Sequence, residues 1–206
     1  TPTPTPLPSP TPTSPAASDQ EANPSEPDPQ ANASGVPVVP SGNEELPLEE
    51  QGMIYGQVIH RVYRQDHTFG SDPEFQTLYL VATTDDGVGD PNVPRLESRV
   101  LPEELRAEIE RHLEFLHAVE SSNAVQPEIH WVETEADVPR QDETGRLPDG
   151  SAMITLGNIQ LEESDRALVS ASIYVAPLVA GGRTYVLDYI SGAWHLGGTT
   201  GVEWMS

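Results

Sequence analysis

Every second residue from Pro2 to Pro12 is proline. No other feature restricts the fold of this chain as sharply. Each proline removes a backbone donor and fixes φ near about −65°. Each also pushes the residue before it out of the helical region. TPTPTPLPSPTPTSPAAS, residues 1–18, therefore predicts neither helix nor sheet. It predicts a stiff polyproline-like run rising about 3.1 Å per residue. Thirteen of the 21 prolines fall in residues 1–47, and residues 19–50 add eight acids, no base and no aromatic side chain. Such a segment buries too little apolar surface to offset the entropy of ordering. The expected organisation is a disordered, acidic, Thr/Pro-rich stalk over residues 1–50 and a single domain over residues 51–206.

The Thr/Pro tract, residues 1–40, resembles the segment that follows the lipid-anchored cysteine in bacterial envelope lipoproteins. That resemblance implies an extracytoplasmic protein, secreted or lipid-anchored at the cell surface, with its folded part held away from the membrane. The first residue is Thr rather than Met, which fits an N-terminus processed behind a signal peptide. Such tracts also accept O-linked glycans in some organisms. The chain has no cysteine, so its domain is held by its core and not by disulfides. The net charge is −23, and all ten bases are arginine. This acidic excess argues against nucleic acid and anionic lipid surfaces as partners. No apolar run approaches the length of a membrane-spanning helix.

Beyond residue 50 the sequence turns periodic. In MIYGQVIHRVY, residues 53–63, Ile54, Val58 and Val62 recur every fourth residue, and Tyr55, Ile59 and Tyr63 repeat the step beside them. This predicts an amphipathic helix with a broad apolar face, ended by Asp66, Gly70 and Asp72-Pro73. Residues 75–83 alternate, with Phe75, Thr77, Tyr79 and Val81 on one face and Leu78, Leu80 and Ala82 on the other, which predicts an inner strand. Pro102 followed by Glu103 and Glu104 opens a second helix with acids at its positive end. Leu105, Ile109, Leu113 and Leu116 carry that helix toward Val119. Residues 129–138 predict another strand, followed by a polar loop over 140–150. The last third reads as short strands at 153–161, 167–175, 183–190, 193–196 and 202–205, with turns at Ala180-Gly181-Gly182 and Ser191-Gly192. Strands joined by short turns pair antiparallel. The expected fold is α+β: two helices packed on a mainly antiparallel twisted sheet that ends in a C-terminal β-meander. The element order resembles that of the nuclear-transport-factor-like cone fold, a resemblance that implies architecture and no particular activity.

Several constellations invite a chemical reading. TTDDGVGDPN, residues 83–92, places Asp85, Asp86 and Asp90 in one Gly-rich loop. Calcium takes roughly six to eight hard oxygen ligands, so these three carboxylates are the candidate metal ligands and calcium the ion they suit. Their spacing departs from the EF-hand pattern, and Asp, Gly and Pro are also what ordinary turns prefer. Asp66 beside His67 suggests a carboxylate-oriented imidazole, although a histidine there also suits a helix C-terminus. No histidine pair has HExxH spacing, and His112 and His117 point about 140° apart on a helix. Asp188, Ser191 and His195 share one predicted hairpin, but no G-x-S-x-G elbow surrounds Ser191. Glu133 and Glu135 share a strand face, as a catalytic carboxylate pair or an edge guard would. Trp131, Trp194, Trp204, Tyr174, Tyr185 and Tyr189 gather toward the C-terminal sheet, as core pairs or as an exposed aromatic surface.

Two functions follow from these readings. The first is a non-enzymatic interaction domain presented on a stalk outside the cytoplasm and taking a protein, peptide or glycan. The alternative is a hydrolase-like enzyme or a calcium-binding domain using His67 and the acidic loop 85–90. The stalk itself makes a test. A nonspecific protease should cut residues 1–45 quickly, including the bonds at Ser18 and Ala33, and leave a stable fragment starting at residues 46–52. Mass spectrometry of a timed digest reads this directly.

Overall fold

The computed structural model of the chain describes residues 46–67, 74–120 and 125–206. Residues 1–45 of the expected stalk lie outside these residues, as do Gly70 and Asp72-Pro73, whereas its last residues, 48–50, already belong to the first helix. Helix α1 spans Leu48–Arg64, with Glu49 and Glu50 in its first turn and Arg61 and Arg64 in its last. These charges oppose the helix dipole at both ends. Its apolar stripe is the expected one: Ile54, Tyr55, Val58, Ile59, Val62 and Tyr63 are all buried. Helix α2 spans Glu103–Val119, starts directly after Pro102, and buries Leu105, Ile109 and Leu113. Gly56 is tolerated in α1 because α2 crosses there. A Cβ on Gly56 would sit 2.7 Å from His112 Cδ2.

The strands are β1 (Thr77–Val81), β2 (Glu128–Val132), β3 (Ser151–Glu163), β4 (Arg166–Ala176), β5 (Val179–Ile190) and β6 (Ala193–Met205). They form one sheet in the order β2-β1-β3-β4-β5-β6. The expected α+β architecture and its C-terminal meander are present: β3 to β6 pair antiparallel in sequence. Strand β1 instead pairs parallel with both β2 and β3. The chain runs from β1 to β2 through α2 and from β2 to β3 through residues 133–150, long connections that force no reversal. Among the described residues, no helix is long and apolar enough to cross a membrane.

Both sheet faces are covered. The helix side holds the main core, in which Leu78, Leu80, Ile154, Val169 and Tyr185 meet the stripes of α1 and α2. Strand β4 alternates as expected: Ala167, Val169, Ala171 and Ile173 join this core, while Ser170 and Ser172 face away. On the outer side, Val138 and Leu147 from the β2–β3 connection pack on Val81 and Met153. Residues 84–99 cross the same side over β3 to β5. That second layer explains why Val186 is buried although it lies opposite Tyr185 and Leu187.

Two details differ from the sequence reading. Ala180-Gly181-Gly182 is not a turn but part of β5. The reversal falls before it, with Leu178 in the left-handed region at φ 62°. Gly182 is there for space: a Cβ would lie 2.0 Å from Val88 O. Ser191-Gly192 does turn as expected, with φ of 54° and 89°, the pair of positive values a type I′ hairpin needs. The last two expected strands are one strand, β6, with register shifts against β5. Its near end is tied to α1, where Gln57 donates to Trp194 O at 2.6 Å and accepts from Leu196 N at 3.1 Å.

The core assignment of α2 is checked by paired substitutions. Ile109 is fully buried, so Ile109→Ala should cost about 2–4 kcal/mol in urea unfolding. Glu114, exposed on the opposite side, should change stability by less than about 0.5 kcal/mol when replaced by Ala.

Candidate functional site

The acidic loop is held by its own hydrogen bonds. Asp86 is 5% exposed. It accepts Asn158 N at 2.6 Å and Leu96 N at 2.8 Å, and the side-chain amides of Asn158 and Gln160 at 3.2 Å each. Asp85 Oδ1 accepts Gly87 N at 2.7 Å. Asp90 Oδ1 accepts the backbone and side-chain N–H groups of Asn92 at 2.8 and 2.9 Å. These donors, with the Thr200 hydroxyl, hold the Asp90 carboxyl below the ordinary range. Among the described residues, no group of three or more His, Asp or Glu is arranged to hold a metal ion.

Asp66 and His67 lie on the other side of the sheet. Asp66 accepts Arg61 Nε at 2.9 Å and stands 3.7 Å from Arg183 Nη1. Burial, reinforced by this carboxylate, pushes the Tyr185 hydroxyl far up from its ordinary range. The His67 ring meets Phe75 edge-on at 6.3 Å. The loop acids instead dock where Asp90 N donates to Thr184 Oγ1. Thr184 and Tyr185 are neighbours in one strand and point to opposite faces. The two halves of the enzyme reading are therefore not brought together.

The remaining sequence candidates are placed as follows. Asp188 and His195 face each other across β5 and β6, while Ser191 occupies the turn. Glu133 follows β2, and Glu135 lies in the short 3₁₀ turn beyond it, accepting Thr155 Oγ1 at 3.0 Å. The strand expected over 129–138 thus ends at Val132. Trp194 and Tyr185 are core side chains, whereas Trp204 and Tyr189 keep 38% exposure each.

Sequence reading missed a groove between the start of α2 and β2, lined by Leu101, Pro102, Glu103, Arg106, Glu110 and Trp131 among others, with a volume of about 710 Å³. Arg106 is its centre. Its guanidinium lies 5.6 Å over the Trp131 ring, Nε donates to Leu101 O at 2.8 Å, and both terminal nitrogens reach Glu133 Oε1 at 3.3 Å. Trp131 Nε1 donates to Glu110 Oε1 at 2.7 Å. The groove runs beside β2, an edge strand. Glu128 N and Val132 O point inward, bonding Gln76 O and Ala82 N. By alternation, Ile129 and Trp131 turn their backbone groups outward. No other described residue bonds them. An isolated Trp beside Glu133 in a strand pattern is the one sequence signal that marks this place.

A third cluster joins the helices. His60 Nε2 lies 3.2 Å from Glu120 Oε2, and Arg64 donates an N–H to His117 Nδ1 at 3.3 Å. Burial lowers the His60 and His112 imidazoles from their ordinary range. Arg64 and His117 reinforce this for His60 against Glu120, as Arg111 does for His112. The unfolded chain, with histidines near about 6.5, then binds more protons than the folded one. Stability should be full above about pH 6.5 and fall as the pH drops toward the folded values. Melting temperature followed from pH 7.5 to 5 should show this slope, and His60→Gln with His112→Gln should flatten it. Compared with protein-family models, curated proteins and solved structures, the chain matches none.

Proposed function

We propose that this chain is an extracytoplasmic binding protein whose α+β domain is presented on the Thr/Pro stalk and takes a protein or peptide at the α2–β2 groove. The observation that carries this reading is the outward backbone edge of Ile129 and Trp131 beside that groove. Edge strands expose unpaired N–H and C=O groups that a second extended chain can satisfy. The lining suits recognition: carboxylates, one guanidinium and one indole converge, with Val100 exposed at the lip. A peptide fits better than a glycan. Sugars stack on open aromatic faces, and here Arg106 already lies over the Trp131 ring. The stalk composition supports the location, through its likeness to envelope lipoproteins.

The binding reading is tested by amide NMR on the full chain, titrated with a mixture of short extended peptides and, separately, with cell-wall oligosaccharides. Peptides should shift residues 100–107 and 129–133. Shifts confined to the β5–β6 sheet, or produced only by the oligosaccharides, would overturn it.

A further inference from the structure

The groove's charges narrow the class of partner, and this step rests on the binding reading above. Four carboxylates flank the open edge of β2. Glu103 and Glu110 line the groove on the helix side, Glu133 follows the strand, and Glu128 begins it. Arg106 is the one cation in the groove lining, and Glu133 already engages it. His130, on the outer face of β2, is likewise within 3.1 Å of Glu128. A strand laid along this edge therefore meets carboxylates on both of its faces.

We infer that the edge of β2 takes an extended cationic segment by strand addition, with basic side chains at alternate positions facing Glu103 and Glu110. The backbone groups of Ile129 and Trp131 supply the pairing, and the charges supply the choice. Glu110, bonded to Trp131 Nε1 at 2.7 Å, stands beside the edge, inside the screening length of about 8 Å at physiological salt. The field of a domain carrying −15 of the chain's −23 charge draws cationic chains toward it. A second copy of this chain is disfavoured on the same ground. Two β2 edges laid together would set Glu128 and Glu133 of each against those of the other. Charge on an edge strand guards against self-pairing, and the same charge recruits the opposite sign.

The probe is a capped ten-residue peptide of alternating arginine and valine, titrated into the full chain at low and moderate salt. The Ile129 and Trp131 amides should shift and gain protection from hydrogen exchange. N-methylating alternate peptide residues, in each of the two registers, should weaken binding at least tenfold in one register, because one pairing edge is then lost. Glutamate in place of arginine should abolish binding. Glu103→Gln with Glu110→Gln should weaken it severalfold and flatten its salt dependence, while leaving the Trp131 bond an acceptor. Equal affinity for both N-methylated peptides would overturn strand addition. Equal affinity for an uncharged threonine–valine peptide would overturn the charge inference yet leave the binding reading standing. A chain that sediments as a dimer with Ile129 and Trp131 protected has a second copy on this edge, and the inference fails. No shift at these residues with any peptide would sink both readings.

Discussion

One buried carboxylate holds the outer layer of this protein to its sheet. Desolvating a carboxylate is costly unless donors replace the lost water, and Asp86 receives four. Bonds of this kind are among the stronger in a protein interior. They fix the start of the segment 84–99. Farther along, Thr84 N donates to Arg99 O and Arg99 N to Thr84 Oγ1, each at 2.9 Å, and Leu101 N closes onto Ala82 O at 2.8 Å. Pro102 then begins α2 at a defined point. Arg106 and Glu110 reach Trp131 because this segment ends where it does. The groove is thus a downstream product of a bond made on the far side of the sheet.

The same segment seals β4 and β5. Asp90 N meets Thr184 Oγ1, which pairs with Ser170 Oγ at 2.9 Å. Trp204 Nε1 reaches across to Val88 O at 2.8 Å. Buried hydroxyls on an otherwise apolar sheet are explained by this layer, which brings backbone donors to them. Tyr55 plays the reciprocal part from the helix side, donating to Gly157 O at 3.2 Å. Burial pushes its hydroxyl up from the ordinary range, against the opposing pull of Arg99.

Much of this was legible in the sequence, and the reasons for the rest are physical. The stripes of α1 and α2 and the alternation of Ala167 to Ile173 depend on spacing within one element, so they read directly. The role of Asp86 does not. Its partners Asn158 and Gln160 are 72 and 74 residues away, and an acid in a Gly-rich loop looks the same whether it is a surface turn, a metal ligand or a buried anchor. Ala180-Gly181-Gly182 carries a turn's composition, yet its glycine serves close approach by Val88 and not reversal. The groove depends on β2 lying parallel to β1, a pairing set by the long crossover and invisible to periodicity.

The two edges of the sheet are not equivalent. At β6, the side-chain amide of Gln57 bonds one carbonyl and one N–H of the edge, as the peptide group of another strand would. Beyond it, Gly198 and Gly201 take positive φ where β6 shifts register against β5. A strand laid along the near end of β6 would first have to displace Gln57 from Trp194 and Leu196, so the fold itself caps that stretch of edge.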